Sequence, residues 1–297
     1  MTVNIIVGDC ISKLAEIPTA SVQTAVTSPP YFNLRHYLPL DHPDRPHEIG
    51  QEKHHADYVA NLVAVFREVR RTLTNEGTLW LNIGDVYGPG KQLLMLPSRV
   101  AIALQDDGWI LRQQVAWIKS APMPENVCDR ASSAWEPVFM LTKSGRYYYD
   151  QDAMREPSIT TARQAKTKWK GRREERDKGQ REGVYHGGGQ PFRNDPHPLG
   201  RNGRNVWMVS SQQPFPGAHF AMMPIGVAEK CITASSRAGD MVLDPFAGVG
   251  TTAIVANRLG RDATMIEINP DFVELMNRRL EAESLPVASE AESVFAF

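Results

Sequence analysis

Residues 241–268 read MVLDPFAGVGTTAIVANRLGRDATMIEI, and few folds accommodate such a stretch. An apolar run ends on Asp244, a glycine-containing turn follows, an apolar helical pattern runs through TTAIVANRLG, and a second apolar run ends on Glu267. Strand, turn, helix and strand in so short a length form a βαβ unit, which places two parallel strands side by side in one sheet. The same alternation recurs upstream. NIIVGD (Asn4–Asp9), SVQTAVTS (Ser21–Ser28), GTLWLNIGD (Gly77–Asp85), WILRQQVAWIK (Trp109–Lys119), EPVFMLTK (Glu136–Lys143) and NVWMVS (Asn205–Ser210) read as strands. Val59, Leu62, Val63, Phe66, Val69 and Leu73 fall at helical spacing, which predicts an amphipathic helix over roughly Ala56–Leu73. A second helix is expected from Pro97 to Asp107, stopped by Gly108. The expected fold class is α/β: a doubly wound, mostly parallel sheet with helices on both faces.

The alternation breaks between about Gln151 and Arg204. From Arg155 to Arg204 there are 13 Lys and Arg against 6 Asp and Glu, a net +7 in a chain whose total is −1. A long basic insertion of this kind is either a polyanion contact or a solvated loop. The expected organisation is therefore two halves of one domain, 1–150 and 205–284, around an insertion at 151–204, with a flexible tail over 285–297. No apolar run approaches the length needed to span a membrane. The start of the chain lacks the pattern of a secretory signal. Cys10, Cys128 and Cys231 lie far apart without a CxxC pair, so a reduced, cytoplasmic setting and no metal site are expected.

Sheets of this kind bind ligands at the carboxyl ends of their strands, and each motif below sits at such an end. Gly248-Val249-Gly250-Thr251-Thr252-Ala253 fits G-x-G-x-x-A, with Glu267 closing the next strand 19 residues after Gly248. Glycines let the backbone approach a nucleotide, and the acid can accept from ribose hydroxyls. Read on its own, the motif suits a dinucleotide, S-adenosylmethionine, or an ordinary turn without a ligand. No lysine follows the glycines, which excludes a P-loop. Asp244, followed by Pro245 and Phe246, would repel a pyrophosphate but attract the ammonium of a methionine moiety, favouring S-adenosylmethionine over NAD. Asp9, beside Cys10 in GDCI, is placed to accept from an adenine amino group or to cap a helix. HFAMMPIGVAEKCI sets Phe220 and Pro224 before a further helix.

AVTSPPYFNLRHY supplies the other half of the site. Pro29 and Pro30 remove two donors and fix two φ angles directly after a strand, with Ser28 before the pair and Tyr31 after it. TSPPY resembles motif IV of the amino-group DNA methyltransferases, and VLDPFAGVGTT resembles their motif I. Their order, catalytic motif first and cofactor motif last, resembles the β class, a circular permutation. GDC, GTLWLNIGD, WIKSAPMPE and HFAMMPIGVAEKCI match further features of that class, over roughly Val3–Glu281 outside the insertion. HFAMMP departs from the class's usual His-Pro-x-x-x-Pro, which bears on Phe220.

The resemblance implies a Rossmann-like methyltransferase fold, S-adenosyl-L-methionine as cofactor, and an exocyclic amine of a flipped base in double-stranded DNA as substrate. It implies cofactor contacts from Asp9, Cys10, Phe220, Pro224, Asp244, Pro245, Phe246, Gly248, Gly250, Thr251, Thr252 and Glu267. Ser28 and the Pro29 carbonyl are implied as acceptors for the amine, with Pro30 shaping the corner and Tyr31 stacking on the base. Ser at the first motif position goes mostly with N4 of cytosine in this family, and Asp with N6 of adenine. No cysteine adjoins the proline pair, which argues against cytosine C5 chemistry. Arg35, His36 and Lys119 are expected near the flipped base, and Arg172, Arg173, Arg176 and Arg193 in a target-recognition region that contacts DNA. A cognate restriction endonuclease and a homodimer are expectations by analogy. Two other classes stay open: a DNA-binding module without transfer, and an NAD-dependent oxidoreductase.

Overall fold

The computed structural model describes residues 1–122, 124–157, 199–210 and 222–284. The chain divides into two compact units, Met1–Asp150 with Asn205–Phe297, and Gln151–Arg204. Among the described residues no helix is long and apolar enough to cross a membrane. Phe220, Arg172, Arg173, Arg176 and Arg193 lie outside the described residues.

The first unit is built on eight strands: β1 (Val3–Val7), β2 (Val22–Thr27), β3 (Leu73–Asn82), β4 (Ile110–Lys119), β5 (Trp135–Thr142), β6 (Val206–Val209), β7 (Met241–Asp244) and β8 (Asp262–Glu267). They lie in the order β1-β8-β7-β2-β3-β5-β4-β6. β5 runs antiparallel to both of its neighbours, and every other pairing is parallel. The expected mostly parallel α/β sheet is therefore found, with one strand reversed.

Among the described residues six α-helices accompany the strands: α1 (Cys10–Ala15), α2 (His55–Thr72), α3 (Leu96–Asp106), α4 (Ile225–Ser235), α5 (Thr251–Arg258) and α6 (Pro270–Ser284). The expected elements fall within a few residues of these bounds. The largest difference is at β3, which starts at Leu73 rather than Gly77 because Leu73 pairs with Val22 ahead of a register shift. Alternation along the strands divides the core into two layers. Ala25, Leu79 and Leu81 pack with Leu14, Leu62, Phe66 and Leu104 of α1, α2 and α3. Trp80, between Leu79 and Leu81, points the other way, and its indole Nε1 donates to Ser235 Oγ of α4 at 3.1 Å. Helices thus cover both faces of the sheet.

In the second unit, Glu156 and Arg201 form an antiparallel bridge. The Glu156 carboxylate accepts from Arg201 at 3.0 Å and from Arg204 at 2.9 Å.

Candidate active site

A pocket opens at the carboxyl ends of β1, β2, β7 and β8. Of the residues expected at the cofactor, Asp9, Cys10, Asp244, Pro245, Phe246, Gly248, Thr251, Thr252 and Glu267 line it, together with Ser28 and Pro30. Pro224 does not; it is the N-cap of α4, and Met222 and Met223 just before it form the wall. Gly250 lies behind the wall. Its φ of +81° suits glycine, and a Cβ there would stand 2.3 Å from Met276 Cγ.

The acids differ in what they have left to offer. Asp9 caps α1, its Oδ2 accepting from Ser12 N at 2.8 Å. Asp244 is 3% exposed. Its Oδ1 accepts from Thr27 Oγ1 at 2.6 Å and Phe246 N at 3.0 Å, and its Oδ2 accepts from Thr252 Oγ1 at 2.7 Å. Burial nevertheless pushes its carboxyl up to about 6. Asp244 therefore clamps β2, β7 and α5 together, and an ammonium at this carboxylate would compete with three donors already in place. Glu267 accepts from Gly248 N at 2.7 Å and Asn269 N at 2.9 Å, which ties the glycine turn to the end of β8. Burial pushes its carboxyl up to about 7, against those two hydrogen bonds. Burial and the neighbouring Asp9 also push the Cys10 thiol up, so it lines the pocket as a neutral group. Two polar atoms of lining residues, Thr251 Oγ1 and Glu48 Oε2, are buried without a hydrogen-bond partner among the described residues. Buried polar groups in folded proteins are nearly always satisfied, so these two ask for a ligand.

The proline corner adjoins this pocket through a second set of contacts. Asn82 Nδ2 donates to Glu136 Oε2 at 3.2 Å and to the Pro137 carbonyl at 3.3 Å. That orientation turns Asn82 Oδ1 toward Ser28, whose hydroxyl donates to it over a long 3.4 Å. Glu136 also accepts from Tyr31 Oη at 2.7 Å and from Lys119 Nζ at 2.5 Å. Burial and the Glu136 charge hold the Tyr31 phenol well above its ordinary range, so it is a neutral donor. The Tyr31 ring packs on Gly84, where a Cβ would stand 2.3 Å from Cε2. The Tyr58 hydroxyl donates to the Pro30 carbonyl at 2.8 Å.

Lys119 thus joins the corner through Glu136. Arg35 and His36 do not line the pocket. His36 Nδ1 instead receives Arg45 Nη2 at 3.0 Å. Asn82, Glu136 and Glu48 went unread in the sequence. The available signals were an amide at the end of a buried strand and an acid at the start of an apolar one. Among the described residues no group of three or more His, Cys, Asp or Glu is placed to hold a metal.

The chain matches the family described as DNA methylase over residues 22–278. It is 37% identical to the Type II methyltransferase M.Cfr9I of Citrobacter freundii, across 94% of this chain and 88% of that protein. Identity to the Type II methyltransferase M.SmaI of Serratia marcescens is 34%, across 93% and 90%. Among solved structures, the cytosine-N4-specific PvuII DNA methyltransferase shares the fold at a TM-score of 0.68 and 18% identity, covering 97% of this chain and 88% of that one. The M1.HpyAVI–SAM complex shares it at a TM-score of 0.56 and 15% identity, covering 94% and 99%.

Proposed function

The chain belongs to the N6/N4 DNA methylase family, and from that premise we propose that it methylates the N4 amine of a cytosine within a specific double-stranded DNA site, with S-adenosyl-L-methionine as donor. The observation that carries the reading is Ser28 at the rim of the cofactor pocket, with its proton directed away toward Asn82. The pocket suits this cofactor. Thr251 Oγ1 lacks a partner at the first turn of α5, where backbone N–H groups favour a carboxylate. Glu267 and Asp9 line the pocket, which supports them as acceptors for an adenosyl group. Bound there, S-adenosylmethionine supplies a methyl group activated by a sulfonium.

The protein's own part is orientation. The lone pair of an exocyclic amine is delocalised into the ring, so the nitrogen attacks well only when its hydrogens are drawn out of plane. Ser28 Oγ, whose proton goes to Asn82, offers its lone pairs to one N–H. The Pro29 carbonyl supplies the second acceptor, and the Tyr58 hydroxyl fixes the corner through the Pro30 carbonyl. Glu136 anchors the set by holding Asn82, Tyr31 and Lys119 together. Lys119 has further ammonium protons for the ring acceptors of the base. Proximity and alignment contribute much of the rate.

A neutral hydroxyl at the first motif position supports cytosine over adenine. Target recognition is assigned to 151–204, whose +7 charge from Arg155 to Arg204 suits phosphates. Kinship with Type II methyltransferases supports a cognate endonuclease as partner. Mass spectrometry of nucleosides from methylated DNA tests the target. N4-methylcytosine is expected, and N6-methyladenine alone would refute the assignment.

Gly84→Ala tests the corner without touching a polar group. The added methyl overlaps the Tyr31 ring and must displace it. Misplacement of a positioned group by about 1 Å can cost about a hundredfold in rate. Turnover is expected to fall on that order while S-adenosylhomocysteine binds as in the wild type, which calorimetry and a radiolabel assay would read.

A further inference from the structure

The loop between β2 and α2 lays Tyr37, Glu48 and Ile49 along the pocket. The Glu48 side chain is only 3% exposed. Its Oε1 accepts from the backbone N–H of Tyr37, whereas its Oε2 is buried and receives no hydrogen bond among the described residues. His36 Nδ1 lies 3.8 Å from that oxygen. The same nitrogen receives Arg45 Nη2. A guanidinium only donates, so Nδ1 is an acceptor and has no proton to give Glu48. A carboxylate oxygen left in this state is unfavourable unless something entering the pocket brings a donor.

Tyr37 sets that oxygen on the same wall as Glu267. Its carbonyl accepts from Asn269 Nδ2 at 2.7 Å, two residues beyond Glu267. Its ring meets Phe272 edge-on at 6.1 Å. Burial pushes its phenol up against the Arg35 charge, and Glu267 and Glu48 add to the rise, so both carboxylates act on one hydroxyl. Glu267 already spends one lone pair of each oxygen on Gly248 and Asn269.

We propose that Glu48 is a cofactor-binding residue, and that its Oε2 accepts from the vicinal diol of the cofactor's ribose beside Glu267. The inference rests on the reading of this pocket as the S-adenosylmethionine site. A diol carries two donors, and two carboxylates facing it give each an acceptor.

Calorimetry with S-adenosylhomocysteine and its 2′-deoxy and 3′-deoxy derivatives tests this on wild type, Glu48→Ala and Glu48→Gln. Hydrogen bonds to charged groups are worth about ten- to a hundredfold in affinity. Glu48→Ala should lose S-adenosylhomocysteine by that order, and Glu48→Gln, which keeps an acceptor oxygen, by less. One deoxy derivative should bind wild type weakly by a similar factor, and in Glu48→Ala that penalty should largely vanish. Equal loss for all three ligands, or no loss, overturns the assignment. If the wild type fails to bind S-adenosylhomocysteine, the cofactor reading fails instead. Thermal unfolding without ligand gives a second measure. Glu48→Gln keeps an acceptor for the Tyr37 N–H and should melt close to wild type, whereas a clearly lower melting temperature would mark Glu48 as structural.

Discussion

Replacing Ser28 by alanine is expected to lower turnover about a hundred- to a thousandfold, the size seen when one preorganised polar group facing the reacting atoms is lost. Affinity for S-adenosylhomocysteine should stay nearly unchanged, because the cofactor side of the pocket rests on Gly248, Thr251 and Glu267. The reason for so large an effect is direction. Asn82 donates to Glu136 and the Pro137 carbonyl, which leaves its Oδ1 to accept the Ser28 proton and the Ser28 lone pairs to face the amine. The same chain can be broken at its far end. Glu136→Gln replaces one acceptor oxygen by an amide nitrogen that cannot accept from Tyr31, Asn82 or Lys119, and it should lower turnover while leaving KM for the cofactor alone. Single-turnover kinetics on a DNA site would read both variants. Near-normal turnover in Ser28→Ala would remove the hydroxyl from its role.

The second large effect belongs to Glu267. Glu267→Ala should weaken S-adenosylmethionine about ten- to a hundredfold or more, since it removes a charged acceptor. It also frees the Gly248 N–H that fixes the glycine turn. The carboxyl has a further signature in pH. Burial raises it from 4.5 to about 7 in the folded protein, so folding favours its protonated form. Its contribution to stability is fully present below the unfolded value and is lost as pH rises through about 7. Glu267→Gln mimics the protonated form. It also loses one of the two backbone acceptors, so the informative quantity is the change with pH: relative to wild type its melting temperature should rise between about pH 4 and pH 8, by an amount worth at most about 3 kcal/mol. A gap that narrows with rising pH would contradict the cause assigned to the shift.

The strands were legible because buried parallel strands are apolar runs that end abruptly on acids, as at Asp244 and Glu267. The reversal of β5 was not, since a period of two carries no direction. Nor was α1, whose six residues are too short for a helical repeat to emerge. Ser28, Tyr31, Asp9 and Thr251 could be read because their motifs are local. Asn82 and Glu136 could not, because their meaning lies in contacts across 54 residues, from Asn82 to Ser28 and from Glu136 to Asn82. Glu48 stands in a proline-rich loop without periodicity, and only the lack of a partner for one oxygen marks it. Asp244 shows the converse. A conspicuous acid at a strand end reads as a ligand contact, yet three donors of Thr27, Phe246 and Thr252 already share this one, so it also joins the strands to the helix.

The Thr27–Asp244 hydrogen bond spans 217 residues, and β1 finds its partner only in β8. During translation, a chain that has emerged through β5 carries the proline corner but no wall for the cofactor beside it. Strand β2 then waits for β7, with an exposed apolar edge that invites chaperones or aggregation. Non-local pairing of this kind makes for slow folding. The capacity to methylate therefore arrives late, after synthesis has passed β8, and no partial product of translation can mark DNA.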